Sequence, residues 1–105
     1  MRVVAAILAS GANVRRSASG TLGLAYVADG RSDAYAELHI NSWDCLAGLL
    51  IAREAGARIN AFLANGGLSI GNPVLAAAPG IAEAIAKATS ISLPEGSDAL
   101  SLRPA

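Results

Sequence analysis

The 105-residue sequence predicts an α/β fold, a layered sheet with helices on its faces. Three observations carry that prediction. Helical spacing and strand alternation of apolar residues take turns along the chain. Gly, Asn and Pro punctuate them at Gly11, Gly30, Gly56, Asn65-Gly66-Gly67 and Gly71-Asn72-Pro73. The composition is 53% hydrophobic against 15% charged, greasier than the usual ~45–50% and ~25%, in a length that fits one core. The expected order is helix, strand, helix, strand, helix, strand, strand, strand, helix.

Residues 2–10 are good helix formers, stopped by Gly11 and Asn13. Asn13 to Ser17 is short and polar around Val14 and reads as a brief strand before a loop. Ser19-Gly20-Thr21 starts a helix over 21–29, in which Leu22, Leu24, Ala25, Val27 and Ala28 keep helical neighbours until Gly30 closes it. Residues 32–40 alternate: Ala34, Ala36 and Leu38 fall on one side, and Asp33, Tyr35, Glu37 and His39 on the other. Asn41-Ser42 then offers a cap for the strongest helix, 43–55, which Gly56 ends. A strand over 58–63, a hairpin-type turn at Asn65-Gly66-Gly67 and a short return strand over 68–70 follow. Residues 74–78 are a buried strand, and Pro79-Gly80 opens a helix over 81–88 with Ile81 and Ile85 one turn apart. The domain is therefore expected over 1–89, with 90–105 a frayed tail carrying Pro94, Gly96 and Pro104.

Charge excludes several functions. Eight basic and eight acidic residues cancel, with no basic block to pair with phosphate backbones, so nucleic acid is not an expected partner. Cys45 is the single cysteine, which rules out an internal disulfide and points to a reducing cytoplasm. No apolar run approaches the ~20 residues needed to span a bilayer, so no membrane segment is expected. The start imitates a short signal peptide, but its one arginine and minimal apolar run favour a buried amphipathic helix.

The informative place is the join between the Glu37 strand and the Trp43 helix, where an acidic strand residue, an indole and a first-turn aspartate fall within eight residues. Asp44 sits where backbone N–H groups and the helix dipole favour anions, and where a hard cation with its phosphate can be held. Taken singly, each residue also has a plain reading: Asp44 as a charge matched to the dipole, Trp43 as a core anchor, Glu37 as a solvated strand residue. His39 has no serine or cysteine partner placed by the sequence. Cys45 stands at a helix start that lowers thiol pKa, although a small core residue is the better account.

The run Gly30-Arg31-Ser32-Asp33-Ala34-Tyr35-Ala36-Glu37, followed by Trp43-Asp44-Cys45-Leu46-Ala47-Gly48-Leu49-Leu50-Ile51-Ala52-Arg53-Glu54-Ala55-Gly56, resembles the C-terminal half of the inositol monophosphatase family. The family signature is a Trp-Asp pair opening a small-residue helix that ends in Glu-Ala-Gly. Upstream, Arg15-Arg16-Ser17-Ala18-Ser19-Gly20-Thr21-Leu22 is similar to the family's Arg-Arg-x-Gly-Ser-Ala-Ala-Leu segment. Downstream, Val74-Leu75-Ala76-Ala77-Ala78-Pro79 is similar to its late strand.

The resemblance implies the C-terminal subdomain of that fold, in a magnesium-dependent phosphomonoesterase acting on a phosphorylated polyol or sugar through metal-activated water. It further implies that Asp44 ligates Mg2+, that Glu37 binds a substrate hydroxyl, and that backbone around Ser19 and Gly20 approaches the sugar or polyol. Ala18 replaces the family's usual Gly, Gly20-Thr21 its paired alanines, and Leu46 its Ala or Cys. Nothing in the sequence resembles the family's N-terminal metal-binding glutamate or its Asp-Pro-Ile/Leu-Asp-Gly-Thr motif. The expectation is thus a part of such an enzyme, inactive alone, whose partner is the missing N-terminal half or a second copy in a homodimer. The alternative is a stand-alone non-catalytic domain, derived from the same fold, that self-associates or binds a partner through its surplus apolar surface.

Overall fold

The computed structural model describes residues 2–9 and 20–94. Five helices and three strands appear among them: α1 Arg2–Ala9, α2 Gly20–Ala28, β1 Ala34–Ile40, α3 Ser42–Glu54, β2 Arg58–Ile59, α4 Gly67–Ile70, β3 Asn72–Ala77 and α5 Ala82–Thr89, with a single 3-10 turn over Ala64–Gly66. The strand read over Asn13 to Ser17 lies outside the described residues.

The sheet order is β1-β3-β2, antiparallel throughout. As the middle strand, β3 has Val74, Leu75, Ala76 and Ala77 all fully buried, which is why it reads as a continuous apolar run instead of an alternating one. Val74 and Ala76 turn to a core formed with Leu24 and Val27 of α2 and Cys45, Leu49 and Ala52 of α3. Leu75 and Ala77 turn the other way, to Ala82 and Ile85 of α5. Helix α1 lies against α5. The architecture is therefore helices, sheet, helices, as the sequence predicts, with one core on each sheet face.

Strict alternation breaks in β1. Ala34 to Glu37 pair in register with Ala77 to Val74, but the next pair is Ile40 with Asn72, so β1 holds one extra residue there. The bulge turns Ile40 to the core that also receives Tyr35. Leu38, expected beside Ala34 and Ala36, is instead exposed.

The hairpin expected at residues 65–67 does not form. Asn65 (φ 56°) and Gly66 (φ 81°) do take the paired left-handed conformations of a type I′ turn. However, the carbonyls of Phe62 and Ala64 are taken by the Asn72 side-chain amide, at 3.0 and 2.8 Å. A Cβ on Gly67 would run into the Phe62 carbonyl, so glycine alone permits that close approach. Residues 67–70 wind into α4 instead of returning as a strand. Likewise β2 stops at Ile59, because the Asn60 side chain takes over the pairing: its Oδ1 accepts from the Leu75 N–H and its Nδ2 donates to the Pro73 carbonyl, each at 2.8 Å.

The segment after α5 begins packed. Ile91 is buried in the α5 core and Leu93 lies partly against it, while residues 95–105 of the expected tail lie outside the described residues.

Candidate functional site

The site is built where β1 turns into α3. Glu37 leaves β1 just before the bulge, and α3 begins at Ser42, preceded by Asn41 in extended conformation. Asn41 makes no side-chain cap bond, although its carbonyl accepts from the Asp44 N–H at 3.0 Å. The corner is held from outside the helix: Ser42 Oγ donates to the Leu68 carbonyl at 2.8 Å, and His39 Nε2 lies 3.0 Å from the Ile70 carbonyl. Helix α4 thus fastens the strand-to-helix join that presents Asp44.

Asp44 is exposed in the first turn of α3. Glu37 is half-buried, and its Oε1 accepts a hydrogen bond of 3.0 Å from the hydroxyl of Tyr35. Burial, then that bond and the Glu37 charge, then Cys45 and Asp44, push the Tyr35 phenol above its ordinary range. Tyr35, Glu37, Cys45 and Asp44 therefore share one electrostatic neighbourhood. The Tyr35 ring lies against the backbone of α2 at Gly23, one turn beyond Gly20. Gly20 is the first residue of α2, and Ser19 lies outside the described residues.

Two plain readings change. Trp43, expected as a core anchor, is 75% exposed, because the inward positions of α3 are Ser42, Cys45, Gly48, Leu49 and Ala52. Cys45 is buried, and burial, with the Asp44 charge second, pushes its thiol up to about 11. His39 ties β1 to α4 through the Ile70 carbonyl. Tyr35 is the participant that sequence reasoning left without a role; its signal was the two-residue spacing from Glu37, which puts both on one strand face.

Among the described residues no three His, Cys, Asp or Glu side chains group as metal ligands. Nor is any helix among them long and apolar enough to cross a membrane.

A sequence model described as the inositol monophosphatase family matches residues 2–93. The chain belongs to the inositol monophosphatase family. It is 49% identical over 73 residues to an inositol-1-monophosphatase of Mycobacterium leprae (strain TN), covering 70% of this chain and 25% of that protein. It is 52% identical over 71 residues to the inositol-1-monophosphatase SuhB of Mycobacterium tuberculosis (strain ATCC 25618 / H37Rv), covering 68% and 24%. A third relative, the Nus factor SuhB of Haemophilus influenzae, is 42% identical over 83 residues, covering 78% and 31%. The chain thus spans about a quarter to a third of the length of these relatives. As a family member it has an inositol-monophosphatase-type α/β fold, and the matched residues include the β1–α3 corner.

Proposed function

We propose that this chain is the C-terminal part of a magnesium-dependent phosphomonoesterase that hydrolyses inositol monophosphate or a related sugar or polyol phosphate. The observation that carries the reading is the corner itself. It presents a carboxylate in the first turn of a helix and a half-buried carboxylate on the strand that leads into that helix, in a chain whose family is that of the inositol monophosphatases. In this reading Asp44 offers one oxygen to a cation, Glu37 accepts from a substrate hydroxyl, and the backbone at Ser19 and Gly20 borders the polyol. The single buried cysteine is compatible with a cytoplasmic location.

Magnesium needs about six oxygens in octahedral array, and the described residues do not make up such a set. When bound, the ion would supply an activated water and charge neutralisation at phosphorus. This chain's own residues bind and orient: the helix terminus favours the anionic phosphate, and the Glu37 carboxylate grips a neutral hydroxyl. The remaining carboxylates are assigned to the part of the family fold that this chain does not span.

The test is turnover of inositol 1-phosphate with magnesium. Residues 1–105 alone show none, and co-expression with the N-terminal three quarters of the Mycobacterium leprae relative restores it, with Asp44→Asn abolishing the restored activity. Turnover by residues 1–105 alone, lost in Asp44→Asn, would overturn the incomplete-site reading.

A second reading has its own observation. The outward side of α3 carries Trp43, Leu50 and Ile51, 75%, 44% and 51% exposed. An apolar face of this kind favours a partner-binding or self-associating domain without turnover.

A further inference from the structure

We propose that Tyr35 is a positioning residue for Glu37: its hydroxyl fixes the carboxylate that meets a substrate hydroxyl. The inference rests on the reading of Glu37 given above. A glutamate on a strand has three rotatable side-chain bonds, and a half-buried one loses that freedom only to a definite partner. Here the partner is Tyr35 Oη, 3.0 Å from Glu37 Oε1. Residues two apart on a strand project from the same face, so the pairing needs no help from a loop.

The tyrosine is itself held. Its ring packs on the core shared by α2, α3 and the sheet, and α2 passes so close at Gly23 that a Cβ there would run into the ring. A phenol seated in this way has two rotatable bonds, both fixed by packing, and it hands that rigidity to Glu37 through one hydrogen bond. A phenol is protonated and a donor at physiological pH, and burial, the first cause, only raises its pKa further. The bond engages one carboxylate oxygen; the second, Oε2, takes no part in it. Substrate binding then begins with an oriented acceptor, and less ordering cost falls on the binding step.

Tyr35→Phe keeps the ring and removes only the hydroxyl. In the isotope-labelled 105-residue chain, three-bond couplings should report one rotamer for Glu37 in the native protein and rotamer averaging in Tyr35→Phe. Glu54 and Glu83 should be unchanged and serve as folding controls. Identical Glu37 couplings in both proteins would overturn the tether. In the co-expressed enzyme, the same substitution should raise KM about two- to tenfold, the range expected for one hydrogen bond, with kcat changed less than KM. If the couplings change and KM does not, the tether stands and Glu37 is not the substrate contact.

Discussion

Cys45 stands one residue beyond Asp44, where the α3 dipole favours a thiolate and burial opposes it. Burial wins, and the thiol is pushed up to about 11 from an ordinary value of 9.0. The unfolded chain therefore releases this proton first as pH rises. Stability from the neutral buried thiol is complete below pH 9 and is lost between pH 9 and about 11. Cys45→Ala should shrink the fall in urea midpoint between pH 8 and pH 11; an equal fall in both proteins would show that the thiol is not the source. Tyr35 shifts in the same direction, chiefly through its own burial and Glu37, which both proteins retain; Cys45 adds a smaller part of that shift, so the comparison reads the thiol together with its effect on Tyr35.

Among the elements, α4 carries the most consequence for its size, since its Leu68 and Ile70 carbonyls hold the β1–α3 corner. Its own existence depends on Asn72, whose amide caps two carbonyls that a hairpin would otherwise use. Asn72→Ala leaves both without that donor, and the cost should be at least about 2 kcal/mol in urea denaturation. An unchanged midpoint would mean that water replaces the amide. The same element shows what the sequence could and could not tell. The turn chemistry of Asn65-Gly66 was legible, because left-handed conformations leave a local signature. Its use was not legible, because that depends on an amide seven residues later. The length of β2 was lost for the same reason, as the Asn60 side chain imitates a strand backbone. The bulge in β1 was hidden too, since alternation says nothing of an extra residue whose pairing lies with β3. By contrast, α3 was read to within one residue at each end. The two-residue spacing of Tyr35 from Glu37 was legible, but the seat of its ring was not, because Gly23 lies on another element.

At the scale of the whole molecule, the outward side of α3 exposes Trp43, Leu50 and Ile51 as well as the charged Asp44 and Glu54, so its middle carries an apolar patch bounded by charge. A net charge of zero adds no long-range repulsion between copies. Sedimentation velocity should therefore show concentration-dependent association of residues 1–105, weakened by Leu50→Glu, which places a charge on the exposed patch. A monomer at all concentrations would remove the self-associating alternative and leave the rest of the family fold as the cover for this face.

The exposure of Trp43 has a practical side. It is the single tryptophan of the sequence, and it directly precedes Asp44. The protein thus carries an intrinsic fluorophore at the corner proposed above to meet a cation and a phosphate ester, on the face proposed to meet another polypeptide. Its emission maximum and its quenching by iodide report any arrival there without a label, and a burying partner and a small ligand leave different spectral marks.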